Sequence, residues 1–91
     1  MKYRGRTEIV SMILDAANEE TTKIQIMFNA YLSYNQLKEY LSILIENNLL
    51  EYLEGARTFR TTEKGLKFLR MHKEIEGLLQ TTTIKNNKLI E

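Results

Sequence analysis

The sequence of 91 residues contains no cysteine, no proline and no tryptophan, and it has a single histidine. Without cysteine, the chain cannot form a disulfide framework or a cysteine-ligated zinc site. No apolar run approaches the roughly 20 residues that a membrane-spanning helix needs, and none follows the basic N-terminus as in a signal peptide. We therefore expect a cytoplasmic, nucleoid-associated protein that has no membrane partner.

Catalytic motifs are also lacking. The sole histidine, His72, lies between basic residues, and the chain has neither a glycine-rich phosphate loop nor a Gly-x-Ser-x-Gly elbow. The carboxylates of Asp15, Glu19 and Glu20 have no histidine near them in sequence, so they fit the exit of a helix better than a metal site. We expect no enzyme, no metal, no cofactor and no small-molecule ligand.

The residues that are present favour one small globular domain over residues 1–80, since 43% of the chain is hydrophobic. The net charge is only +1, but it is unevenly distributed. Every charged residue from Glu39 to Glu54 is acidic, whereas nearly all of those from Arg57 to Lys73 are basic. Such runs are often solvated surface, but separated basic clusters beside paired helices are also what a nucleic-acid duplex requires.

Capping and periodicity predict three helices in the first half of the chain. Apolar residues recur at three- and four-residue steps over Thr7 to Asn18, with Thr7 as the N-cap. Thr-x-x-Gln and Ser-x-x-Gln capping boxes then begin at Thr22 and Ser33. Two helices capped so close together must turn against each other near Leu32, which is the signature of a helix-turn-helix. For the second helix, the predicted buried stripe is Ile24, Met27, Phe28 and Tyr31.

The third helix is predicted to end at Asn47 and Asn48, because asparagine tolerates the left-handed conformation common after a helix. Two strands, Leu49 to Leu53 and Thr58 to Thr61, follow with Gly55 as the turn residue, and they predict a wing. Thr61 or Thr62 caps a last helix over residues 63–80, and residues 81–91 are expected to form a frayed tail. The predicted fold is mainly α (α+β): a winged helix-turn-helix with a two-stranded wing and a C-terminal dimerisation helix.

Double-stranded DNA is the predicted partner. The second helix of a helix-turn-helix lies in the major groove, where asparagine and glutamine can pair with adenine, lysine with guanine and glutamate with cytosine. Tyr34 has two interpretations, a half-buried ring and a phosphate contact, with packing the larger part. Basic residues of the wing and of an N-terminal arm that also includes Lys2 can meet phosphates. The predicted contacts are Ser33, Tyr34, Asn35, Gln36, Lys38, Glu39, Ser42, Arg57, Arg60, Arg4 and Arg6.

The last helix predicts a homodimer. Phe68, Met71, Ile75 and Leu78 follow the spacing of a coiled coil, and this apolar stripe continues to Leu79. The alternative is one broad stripe that covers only the domain's own core. Because the stripe runs beyond the expected reach of that core, the sequence favours a dimer that binds a pseudo-palindromic site.

The stretch from Thr22 to Leu69 resembles an archaeal winged-helix family of predicted transcriptional regulators, which includes small dimeric DNA-binding proteins. Two segments carry the resemblance, Leu32-Ser33-Tyr34-Asn35-Gln36-Leu37 and Thr61-Thr62-Glu63-Lys64-Gly65. The resemblance implies a winged helix that dimerises through its C-terminal helix and binds DNA. Asn48 departs from the glycine found in many winged helices, and the C-terminal helix is short beside the arms of some members.

These observations together predict a sequence-selective DNA-binding transcriptional regulator. One alternative is an architectural DNA binder of weak selectivity. The other is a winged helix that serves as a protein-interaction scaffold, which the acidic stretch from Glu39 to Glu54 favours because it opposes phosphate.

Overall fold

A computed structural model describes the backbone of residues 4–90 and the side chains of residues 4–79. The elements follow the predicted order of three helices, a hairpin and a last helix. They are α1 (Arg6–Ala16), α2 (Lys23–Asn29), α3 (Tyr34–Glu46), β1 (Leu50–Leu53), β2 (Thr58–Thr61) and α4 (Glu63–Ile90). The mainly helical winged-helix class is confirmed.

The core lies around α1, which packs against α2, α4 and β2. The largest side chains that are fully buried come from α1, α2, α3 and β1: Ile13, Leu14, Ile26, Leu37, Leu44 and Leu50. Burial of a side chain of this size stabilises a fold by about 1.5–3 kcal/mol. These residues therefore fix α3 against the rest of the domain, while its opposite face remains in solvent.

The start of α1 differs from the prediction. Its N-cap is Gly5, which makes no side-chain cap hydrogen bond, and the helix begins at Arg6. Thr7 lies inside the first turn and is not the cap. Glu8 in that turn carries a negative charge, which is favourable at the positive end of the helix dipole.

The predicted buried stripe of α2 is wrong at three of its four positions, and only Met27 is partly buried against the core. Ile24, Phe28 and Tyr31 are exposed, at 49%, 67% and 76%, whereas Ile26 and Ala30 are fully buried. Both faces of α2 carry apolar residues, so periodicity alone does not select the buried one. The helix packs against α1, and the side that carries Ile26 and Ala30 is the one buried in the core.

The corner between α2 and α3 is as sharp as predicted. Tyr31 takes a left-handed conformation with a φ of 53°, and the Leu32 amide donates to the Met27 carbonyl at 3.1 Å. This bond and the one from Tyr31 to Phe28 form a Schellman motif, which ends the helix and reverses the chain. Ser33 then begins α3 in an extended conformation.

The end of α3 confirms the prediction from the two asparagines. Asn48 has a φ of 61°, and the Leu49 amide donates to the Leu44 carbonyl at 2.9 Å. Ile45 follows the buried Leu44 but is itself 39% exposed. It lies at the margin of the apolar face, beside the wing.

The wing is an antiparallel pair in which Leu50 faces Thr61 and Leu53 faces Thr58. Its turn differs from the prediction, because the left-handed residue is Arg57, with a φ of 57°, and Gly55 has no positive φ. Thr21 forms a further bridge to Phe59, with backbone hydrogen bonds of 3.0 and 2.7 Å. The connection between α1 and α2 is thereby tied to the wing.

The last helix extends to Ile90, past the predicted end at Gln80 and through residues 81–90. Thr62 is its cap, since its Oγ1 accepts a hydrogen bond from the Gly65 amide at 3.1 Å. Among the described residues, no helix combines the length and the apolar character needed to cross a membrane.

Candidate nucleic-acid interface

A complete capping box fixes the start of α3. The Ser33 hydroxyl accepts a hydrogen bond from the Gln36 amide at 3.2 Å, and Gln36 Oε1 accepts one from the Ser33 amide at 3.0 Å. These two predicted contact residues therefore hold the helix terminus in place. Because Oε1 already accepts one hydrogen bond, only one of its two lone pairs is left for a base.

The outer face of α3 carries exposed polar side chains. Asn35, Lys38, Glu39 and Ser42 all lie on this surface, and their side chains form no hydrogen bond or ion pair with the rest of the described fold. A face of this kind can offer donors from Asn35, Lys38 and Ser42 to the edges of bases, together with a carboxylate acceptor from Glu39.

Tyr34 is 53% exposed, so it is about half-buried, but packing is not the larger part as predicted. Two ammonium groups contact its ring. The Nζ atoms of Lys23 and Lys38 each lie 5.6 Å from the ring centroid. The sequence patterns do not single out Lys23, whose one local signal is its place directly after the Thr22 cap.

The wing presents its two arginines differently. Arg57 is exposed at the tip. Arg60 instead pairs with Glu51 across the hairpin, with its Nη2 2.9 Å and its Nε 3.0 Å from Glu51 Oε2. The charge of Arg60 is thus partly neutralised, and Arg57 is the more available cation.

The residues of the predicted N-terminal arm differ in how available they are to DNA. Arg4 donates to the carbonyl oxygens of Ala30 and Tyr31, the second at 2.9 Å, and its guanidinium lies 6.0 Å from the centroid of the Tyr31 ring. Arg4 therefore stabilises the negative end of α2. Arg6 is exposed at the start of α1, and Lys2 lies outside the described residues.

Thr62 and Lys64, at the start of α4, form hydrogen bonds with the C-terminal end of α3. Lys64 Nζ donates to the Asn47 carbonyl at 2.9 Å, and Thr62 Oγ1 donates to the Asn48 carbonyl at 2.6 Å. These bonds satisfy carbonyl groups that a helix end leaves without partners. They join α3 directly to the first turn of α4.

Most of the predicted dimer residues are exposed. Met71, Ile75, Leu78 and Leu79 have exposed fractions of 52%, 56%, 72% and 65%. Phe68 is half-buried and packs against the core.

Within residues 4–79, no cluster of three or more acidic or histidine side chains is placed to hold a metal ion.

Comparisons with known proteins agree with this architecture. The structure is similar to the crystal structure of Sso10a-2, a DNA-binding protein from Sulfolobus solfataricus, with a TM-score of 0.74 and 24% sequence identity. That similarity covers 97% of this chain and 98% of the Sulfolobus chain, and it shows a shared fold. A comparison with curated proteins finds no significant match. The winged helix-turn-helix family model matches residues 3–80, and the chain therefore belongs to the winged helix-turn-helix family.

Proposed function

We propose that the protein is a double-stranded DNA-binding transcriptional regulator of archaeal type, located in the cytoplasm with the nucleoid. The observation that carries this proposal is the exposed polar face of α3, directly after a sharp corner and a complete capping box. A helix held in this way projects its N-terminal half into a major groove. The Sulfolobus protein of similar fold is itself described as DNA-binding, which supports the same ligand class.

In this arrangement, the exposed side chains of α3 distinguish base pairs. Asn35 can pair with adenine, Lys38 can donate to guanine, and Glu39 can accept only from cytosine. Glu39 also repels phosphate, which weakens binding to unrelated duplexes and so raises selectivity. Arg57 and Arg6 supply phosphate contacts, while Arg60 contributes less because Glu51 pairs with it.

We also propose that the protein acts as a homodimer through α4. Met71, Ile75 and Leu79 expose apolar surface along one side of α4 and line an open groove beside the start of α1. Because each of these side chains is already partly buried, covering its exposed part with a second copy is favourable by roughly 1–2 kcal/mol before the cost of association. A symmetric dimer would present two copies of α3 to the DNA and would therefore bind an inverted repeat.

Selection of bound duplexes from a random pool, followed by titration at several salt concentrations, tests the regulator. We expect an inverted repeat bound roughly 10³-fold or more tightly than unrelated duplexes. We also expect Asn35→Ala and Lys38→Ala to weaken binding without altering the circular dichroism spectrum. Similar affinity for every duplex would indicate an architectural DNA binder instead.

A second candidate is a protein-interaction scaffold, which the exposed face of α2 favours. Ile24, Phe28 and Tyr31 form an apolar surface that the fold leaves in solvent. Under this alternative, Phe28→Ser would abolish binding of a partner protein, and Asn35→Ala would have no effect. Absence of duplex binding by the unmodified protein would favour the scaffold.

A further inference from the structure

Lys23 lies where α2, α3 and the wing meet. Its Nζ shares the Tyr34 ring with that of Lys38, and each is 5.6 Å from the ring centroid. The two ammonium groups are therefore separated by at most twice that distance. One aromatic ring thus brings together the cations of two different helices.

The same lysine also faces the wing. It lines an open groove with Arg57 of the wing turn, and the remaining lining residues are Leu41, Ile45, Tyr52 and Phe59. No acidic side chain lines this groove. Beside it, the Glu20 carboxylate accepts a hydrogen bond from the Thr58 hydroxyl, and the Glu51 carboxylate is paired with Arg60. Lys38, Lys23 and Arg57 therefore form a cationic row, which runs from α3 past the start of α2 to the wing.

We propose that Lys23 and Arg57 in this cationic row hold phosphates of one DNA strand, with Lys23 as the central contact, while Lys38 at the α3 end of the row remains directed to a base. The inference rests on the proposed function, and it adds a DNA contact between those of α3 and those of the wing. In B-DNA the phosphates of one strand rise by about 3.4 Å per nucleotide, so a row that spans three elements can meet several of them.

Tyr34 is the positioning residue of the row. A cation–π contact at an exposed site is worth about 0.5–1 kcal/mol, enough to restrict where a flexible lysine carries its charge. An ammonium group restrained in advance loses less conformational freedom on binding. The ring, rather than the phenolic hydroxyl, supplies this restraint.

Salt-dependent titration of a bound duplex with single variants tests the row. Each phosphate neutralised contributes about 0.9 to the slope of log K against log salt, so Lys23→Ala and Arg57→Ala should each lower the slope by about that amount. Lys73→Ala is the matched control, because this exposed lysine lines a separate groove between α1 and α4. The salt slope of this variant should equal that of the unmodified protein. If Lys23→Ala retains the slope of an unmodified protein that binds DNA, the row is refuted while the proposed function stands. If the unmodified protein binds no duplex, the proposed function itself fails.

Two Tyr34 variants test the role of the ring. Tyr34→Phe keeps the π face and should retain the affinity and slope, whereas Tyr34→Leu should weaken binding by up to about two- to fivefold, because the lysine is no longer restrained before it binds. Upfield shifts of the Lys23 and Lys38 side-chain protons in NMR spectra of the free protein should persist in the first variant and vanish in the second. Equal losses of affinity in both variants would assign the role to the hydroxyl and overturn this part of the proposal.

Discussion

At the scale of single residues, Gly65 is the position with the least space. A Cβ atom there would lie 2.3 Å from the Leu49 carbonyl oxygen and 2.5 Å from Thr61 Cγ2. The first contact is with backbone, which cannot rotate away. This close approach gives a physical reason for glycine at the end of the Thr-Thr-Glu-Lys-Gly segment, where α4 meets the end of α3.

Gly65→Ala should accordingly lower the free energy of unfolding by about 1–3 kcal/mol, since overpacking shifts backbone or side chains. The matched control is Gly77→Ala on the same helix, where a Cβ would meet nothing within 4 Å. That variant should raise stability by roughly 0.5–1 kcal/mol, because alanine is the better helix former. Urea denaturation of the two variants measures both effects, and similar midpoints would contradict the close approach.

Glu51 is the residue that limits the charge of the wing. Glu51→Gln removes the carboxylate paired with Arg60, so it should free that guanidinium and raise affinity for duplex DNA. If Arg60 then gains one phosphate, the salt slope should steepen by about 0.9. Glu76→Gln on α4 removes the same charge away from the wing and should leave the titration unchanged. Unaltered binding by Glu51→Gln would show that Arg60 does not approach DNA.

At the scale of elements, the capping box decides how firmly α3 begins. Ser33→Ala removes the acceptor for the Gln36 amide and should cost about 1 kcal/mol of stability. Ser42→Ala, on the exposed face of the same helix, should change stability by less than about 0.5 kcal/mol. Thermal or urea unfolding distinguishes them, and equal stability of the two variants would show that the cap contributes nothing.

The elements also differ in how well local patterns predict them. The caps at Thr22, Ser33 and Thr62 are formed by side chains within three residues of their partners, so sequence spacing is sufficient to find them. The buried face of α2 is not predictable in this way, because apolar residues occur on both of its sides. Only contact with α1 distinguishes Ile26 and Ala30 from Ile24 and Phe28.

At the scale of the whole molecule, α4 is both a support for α3 and the proposed dimer interface. A change in a symmetric interface is present in both copies, so its effect is doubled. Ile75→Glu should therefore yield a monomer in analytical ultracentrifugation while the circular dichroism spectrum is retained, since this side chain is 56% exposed in the single chain. Lys73→Glu at a neighbouring exposed position should leave the mass unchanged. A dimer that survives Ile75→Glu would place the interface elsewhere.

Local sequence determined the order of the helices, the corner near Leu32, the end of α3 at Asn48 and the presence of a wing, because caps and periodicity act over a few residues. The tertiary structure decided which predicted contacts are available. It commits Arg4 to the end of α2 and pairs Arg60 with Glu51, and it brings Lys23 beside Tyr34. The Arg4 and Lys23 contacts join residues that are distant in the chain, and the charge pair of Arg60 depends on the strand register, so only the packed fold brings the partners together.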